Sequence, residues 1–288
     1  MTLAQVARLE GHWEQAIAYF EQSLALDPRN IDHLNMMAWT YIELRQLQAA
    51  LKLADRILDI TPNDAGVIVL KALIYEAQGN LKEADRLLSE IRVQKLMPDK
   101  DLWNYWDDLL RLERRYGEVI QYYHAALLPQ LPPEQQAGYQ LLLALIQQVA
   151  GDAAGAKLSA EQASYTLEPL YRDKPDDLNV QFRLSIAYAL MGQKGLALKL
   201  AERGVMLSRR AQRTRLGPIF EERLAWIQTL VGENSRAIET LTHLLQTPYN
   251  GQHYTGLPIT PALLRLDPNW DPLRGDPAFQ KLCEEKQR

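Results

Sequence analysis

Residues 31–62 read IDHLNMMAWTYIELRQLQAALKLADRILDITP, and residues 65–96 read AGVIVLKALIYEAQGNLKEADRLLSEIRVQKL. Laid over one another at a shift of 34, Leu34 falls on Ile68, Ala38 on Ala72, Tyr41 on Tyr75 and Ala50 on Ala84. Pro28 precedes Pro62 by the same step, and Ala4 and Ala16 carry the register back by one more unit. A fixed period of this length marks an architecture in which each unit is one supersecondary element that buries its apolar face only against its neighbours. Within each unit the apolar positions recur at helical spacing, which predicts two amphipathic helices of about a dozen residues joined by a short turn.

A small residue twelve positions before an alanine recurs along the chain: Ala4/Ala16, Ala38/Ala50, Ala72/Ala84, Ala144/Ala156, Ser185/Ala197 and Ala225/Ala237. One member falls on each helix of a pair. Where two antiparallel helices cross at close range, a bulky side chain on either forces the axes apart, so both positions stay small. Gly11, Gly79, Gly151, Gly192 and Gly232 fall just before second helices, where a helix C-terminus favours a left-handed residue.

These anchors predict helix pairs over 2–28, 31–62, 65–97, 100–129, 134–168, 177–207 and 217–247. The fourth breaks the small-residue rule with Asp107 and Val119, carries Trp103 and Trp106 one helical turn apart, and is expected to pack its helices at greater distance. Longer connections are expected around 129–134, 168–177 and 208–218. The chain divides into three regular units over 1–97, two divergent units over 98–173, two further units over 174–247, and a loop with a capping segment over 248–288.

The large, small, aromatic, small and proline pattern of Leu34, Met37, Ala38, Tyr41, Ala50 and Pro62, met again by Ile68, Ala72, Tyr75, Gly79, Leu81 and Ala84, resembles the tetratricopeptide-repeat (TPR) family. That resemblance covers nearly the whole chain. It implies an all-α, right-handed superhelical solenoid of about seven helix pairs with a short C-terminal capping helix. Register places Met1 inside an incomplete first helix, so the sequence is expected to be a piece of a longer protein.

Asp276 followed by Pro277 is a helix start. A helix over about 277–286 would lay Phe279 and Leu282 on the last unit, with Trp270 and Leu273 filling the gap beneath. The segment Thr247 to Pro258, rich in aromatic and polar groups, reads as a spacer before this lid or as a ligand-contacting loop. Together with Leu216-Gly217-Pro218-Ile219 and Gly232-Glu233-Asn234-Ser235-Arg236-Ala237-Ile238, the tail over residues 178–288 is similar to the final TPR region of large bacterial signalling proteins. In those proteins the repeats follow a kinase, a nucleotide cyclase or a winged-helix activator and act as the regulatory part. Nothing in residues 1–288 matches those effector domains, so the resemblance implies only a regulatory or scaffolding role.

With 47% hydrophobic and 24% charged residues, the composition is that of an ordinary folded chain. The net charge of -4 comes with scattered Lys and Arg and builds no electrostatic footprint for nucleic acid. No apolar run reaches the roughly 20 residues needed to cross a bilayer. A lone cysteine, Cys283, excludes an internal disulfide and fits a reducing compartment, which makes the cytoplasm the expected location. Its neighbours Glu284 and Glu285 are expected to raise its thiol pKa, against a reactive role. The five histidines lack metal-ligand spacing. Asp267, Asp271 and Asp276 lack the spacing of a calcium loop and read as turn and helix starts. No phosphate loop or nucleophile elbow occurs. No catalytic group, metal or cofactor is therefore expected.

In the TPR family the first helices line the concave face. The groove positions that the resemblance implies include Asn35, Trp39, Val69, Leu73, Asn104, Asp108, Phe182, Ile186 and Trp226. Asparagines there suit the backbone of an extended peptide, and the aromatic and aliphatic side chains suit apolar anchors. The early positions lack the lysine, asparagine and arginine set that grips acidic C-terminal tails in some TPR proteins. The expected function is a protein or peptide interaction module, with self-association into a homo-oligomer as the alternative.

Overall fold

The computed structural model describes residues 2–124, 131–210, 217–251 and 256–284. The chain runs as paired helices: α1 (Leu3–Leu9) with α2 (Trp13–Leu26), α3 (Ile31–Glu43) with α4 (Leu47–Ile60), α5 (Ala65–Gln78) with α6 (Leu81–Val93), and α7 (Asp99–Leu112) with α8 (Tyr116–Tyr122). Three further pairs follow: α9 (Pro133–Val149) with α10 (Ala153–Asp173), α11 (Leu178–Leu190) with α12 (Lys194–Arg210), and α13 (Gly217–Leu230) with α14 (Asn234–Gln246). After them come α15 (Pro261–Leu266), a 3-10 turn over Pro268–Leu273, and α16 (Pro277–Glu284). No strand occurs among the described residues.

The steric rule read from the sequence explains the pairing. Every member of the six small-residue pairs is buried, and all but Ala4 have no exposed surface. In the fourth pair aromatic contacts replace them. Trp103 stacks on Tyr122 with ring centroids 3.7 Å apart, and the buried Tyr123 donates its hydroxyl hydrogen to Asp107 at 2.7 Å.

One expected loop is instead helix. α10 continues through Pro169 to Asp173, because Tyr171 packs into the core and Glu168 accepts a hydrogen bond from Tyr188 of α11 at 3.1 Å. The connections expected around 129–134 and 208–218, the middle of 247–258, and the end of the 277–286 helix lie partly outside the described residues.

Three cores form. One joins α1 through α7, a small one of Leu110, Val119, Tyr123, Leu143 and Ile146 joins the fourth and fifth pairs, and one joins α9 through α16. The segment 247–274 connects the first core to the last: Leu257 and Leu263 pack into the first, Ile259 and Leu264 into the last. Phe279, Leu282, Trp270 and Leu273 complete the last core together.

This strap is fastened at the turns of the second, third and fourth pairs. The turn glycines all have positive φ, and at the equivalent places stand Arg45 (φ 59) and Arg114 (φ 62). A non-glycine residue in this region is strained and points to some compensating contact. Arg45 donates to the carbonyls of Ile259 at 2.8 Å, Thr247 at 2.9 Å and Leu244 at 2.7 Å. Two of those carbonyls belong to the C-terminal end of α14, where helix geometry leaves acceptors without partners. At the third turn a Cβ on Gly79 would come within 3.2 Å of the Ala262 methyl, so only glycine combines the left-handed turn with this approach. Beside it the Thr260 hydroxyl donates to Ala77 O at 2.7 Å and caps α15. Arg114 pairs with both carboxylate oxygens of Asp271 at 2.6 and 2.8 Å.

Beneath the strap, Arg111 bonds Asp267 at 2.5 Å and Asp108 at 2.9 Å. Burial alone would lower the Arg111 pKa, but the two carboxylates outweigh it and hold the guanidinium charged. Glu76 faces the same network with Oε1 buried and without a hydrogen-bond donor. Burial, then the Asp108 charge, pushes its pKa well above the carboxylate range, with Arg111 opposing.

Replacing the two strained arginines by glycine should separate their roles. Each change relieves about 1 kcal/mol of left-handed strain. Arg114→Gly loses an exposed ion pair worth roughly 0–1 kcal/mol and a long, exposed bond to the Tyr116 hydroxyl, so its stability in urea should stay within about 1 kcal/mol of wild type. Arg45→Gly strands the Thr247 and Ile259 carbonyls at about 1–3 kcal/mol each, while Leu244 O keeps its bond from Thr247 N, and should lose about 1 kcal/mol or more. A second expectation concerns pH. Burial raises the Glu76 pKa in the fold while the unfolded chain ionises it normally, so Glu76 costs stability as pH rises above the ordinary carboxylate range. Glu76→Gln should melt higher than wild type at neutral pH, and the difference should shrink toward about pH 4. An equal difference at all pH values would show that Glu76 is ionised in the fold.

Candidate functional site

First helices α3, α5, α7, α11 and α13 present their inner faces to the interior of the superhelix, and the strap crosses that interior. Asn250 lines two cavities, one on each side of it.

The first cavity, about 680 Å³, gathers Asn35 and Trp39 of α3 with Val69 and Leu73 of α5. Arg8, Asp32, Asp64, Tyr105 and Gly256 complete much of its wall. Val69 and Leu73 form a buried apolar floor, while Trp39 is half-buried. The Asn35 amide has no hydrogen-bond partner among the described residues, so both its donor and acceptor face the cavity unspent. Arg8 is neutralised by a two-point pair with the fully buried Glu43, at 2.8 and 3.2 Å. Asp64 caps α5 by accepting from Val67 N, and Asp32 is exposed in the first turn of α3. The charge remaining on this wall is acidic.

The second cavity, about 400 Å³, gathers Phe182 and Ile186 of α11 with Trp226 of α13 and Leu141, Leu142 and Leu145 of α9. Asn179, Arg183, Arg223 and Gly251 share it, and among the described residues no carboxylate lines it. The Phe182 and Trp226 rings lie 6.1 Å apart, centroid to centroid. Arg223 lies over Phe182 at 4.5 Å and over Phe220 at 4.9 Å. Burial pushes its pKa down to about 10, Glu222 opposes this, and the like charge of Arg183 adds to it.

The remaining groove candidates lie elsewhere. Asn104 is half-buried on α7 and lines neither cavity, and Asp108 is spent on Arg111 beneath the strap. Arg183 and Arg223 sit one step away from the positions that register assigns to the groove, beside Phe182 and Glu222. Arg45 had a legible signal, an arginine where five other units place glycine. Cys283 is half-buried, and burial is the first cause that raises its thiol pKa, with Glu284 contributing least.

The neck of the strap is tight. Gly251 N donates to Gly256 O at 2.9 Å, and a Cβ on Gly251 would overlap the Leu257 carbonyl. Buried Tyr249 anchors it, donating to Glu222 at 2.8 Å and accepting from Ile259 N at 3.1 Å. Among the described residues no helix is long and apolar enough to cross a membrane.

Residues 7–74 match the family model described as tetratricopeptide repeat. No curated protein matches the chain in sequence. Among solved structures it is similar to the Cut9-Hcn1 hetero-tetramer of the APC/C, with a TM-score of 0.50 at 14% identity, covering 98% of this chain and 54% of that one. The C-terminal part of a TPR repeat-containing protein from Cytophaga hutchinsonii gives a TM-score of 0.43 at 15% identity, covering 94% and 98%. A tetratricopeptide repeat protein from Parabacteroides merdae gives 0.39 at 13%, covering 82% and 83%. At such identities a likeness speaks to fold alone. The family match and the first of these structures, taken with the helical pairs, identify the fold as a tetratricopeptide-repeat solenoid, an architecture of protein–protein interaction and scaffolding.

Proposed function

We propose that the chain binds an extended segment of a partner protein on its concave face, centred on the cavity of Asn35, Trp39, Val69 and Leu73. The observation that carries this reading is a 680 Å³ recess on the inner face whose apolar floor adjoins an asparagine amide with no partner among the described residues. An extended peptide offers alternating backbone donors and acceptors to such an amide and an apolar side chain to such a floor. Trp39 adds the residue type that most often dominates binding energy. Phe182, Ile186 and Trp226 extend the same surface beyond the strap. The module works by binding, without a reaction of its own. Its place as the regulatory part of a bacterial signalling protein rests on the sequence resemblance of residues 178–288.

The test is selection of peptides from a random displayed library on the immobilised chain, followed by anisotropy titration of the enriched peptides. Trp39→Ala and Asn35→Ala, checked by circular dichroism for an unchanged fold, should each weaken binding by about tenfold or more. Peptides bound equally by wild type and both variants would overturn the assignment of the site. A failure to enrich any peptide, with a light-scattering mass that rises with concentration, would replace it with self-association.

A further inference from the structure

The second cavity has a chemistry of its own. We infer that it is a subsite for a carboxylate carried next to a bulky apolar side chain, an acidic residue of a bound peptide held by Arg183 and Arg223 over Phe182 and Trp226. The inference deepens the groove reading above and rests on it.

Two guanidinium groups line one recess, and no carboxylate of the described residues lines it. Their repulsion disfavours the empty site, and a bound anion relieves it. Arg183 has no hydrogen bond or ion pair among the described residues. It lies against α9 where Gly138 leaves room: a Cβ there would sit 3.3 Å from the guanidinium carbon. Glycine inside a helix costs roughly 0.5–1 kcal/mol relative to alanine, and here it admits a cation to the cavity wall. Arg223 is held by stacking on two phenylalanine rings and by donating to Asn179 Oδ1 at 3.5 Å, contacts that orient its planar fork of donors. Amides of Asn179 and Asn250 supply further polar groups, and Leu141, Leu145, Ile186 and Trp226 supply the apolar floor.

The apolar members of that lining favour one anion. Leu141, Leu145, Ile186 and Trp226 offer a phosphate group nothing on their side, whereas a small planar carboxylate turned to the arginines fits beside an aliphatic or aromatic neighbour. The first cavity carries Asp32 and Asp64 and has the opposite sign, so an acidic residue of the ligand is directed to the second cavity and away from the first.

The test uses the full chain and the random displayed library. Wild type should enrich peptides with Asp or Glu within one or two positions of Leu, Ile, Phe or Trp. A synthetic enriched peptide should lose about tenfold in affinity when its acidic residue is changed to the amide, and Arg183→Gln should lose a similar factor. The melting temperature of Arg183→Gln should stay level or rise, because the side chain serves the ligand and its charge opposes Arg223. A clear fall in melting temperature would mark Arg183 as structural and overturn the assignment. If Trp39→Ala weakens binding while Arg183→Gln does not, the groove reading stands and the carboxylate subsite fails. If neither variant matters, both fail. Displacement by excess inorganic phosphate with no effect of the acid-to-amide change would replace the carboxylate with a phosphate.

Discussion

The guanidinium of Arg45 answers three carbonyls, two at the end of α14 and one in the strap beyond it. Helix geometry creates this need, since the last carbonyls of any α-helix point away from the chain that made them. Satisfying them from residue 45 spans separations of 199 to 214 residues. An open solenoid holds together through contacts between neighbouring units alone. Here the last unit is tied to the second, and the interior of the superhelix is crossed by the molecule's own backbone. The cost is backbone strain at Arg45, stored where the turn would otherwise take glycine.

That crossing shapes the binding surface. Without it the inner faces of the first helices would form one continuous trough. With Tyr249, Asn250 and Gly251 in place the trough becomes two recesses that share one wall and differ in charge. The strap is itself part of the core: Tyr249 and Thr260 have no exposed surface, and Leu257 and Ile259 are almost completely enclosed. Its described residues form a partition held by burial and by hydrogen bonds at both margins. A ligand that engages both recesses must pass over this partition, which sets the spacing between the two parts it presents.

The solenoid was legible because its causes are local and repeated. Ala38 and Ala50 must be small for a reason acting within one unit, and the same reason acts again at Ala72 and Ala84. The positions of Asn35, Trp39, Val69 and Leu73 on the inner face followed from the same register, and the structure brings them to one cavity. The strap was read as a spacer or a ligand-contacting loop because its partners lie far off in the chain and leave no periodic trace. Asp108 looked like a groove residue for that reason: its register is right, but Arg111 and Asp267 claim the space in front of it. Arg183 and Arg223 escaped because long side chains reach a surface from a neighbouring register position, which a pattern of backbone places does not record. The extension of α10 through Pro169 escaped because local propensity argues against it, and the contacts of Tyr171 and Tyr188 that support it act in three dimensions.

The order in which a chain is made adds a consequence to the bond between Thr260 and Ala77. These residues lie 183 positions apart. At about 5–20 residues per second, synthesis of the intervening stretch takes on the order of 10–40 s. Throughout that interval the early units stand as an open half, with Leu73 and Ala77 awaiting side chains that have yet to be translated. Vectorial synthesis suits most solenoids, whose units settle one on another as they emerge. In this one the early units wait with their core unfinished until the strap, 183 residues further on, has been made and can close it.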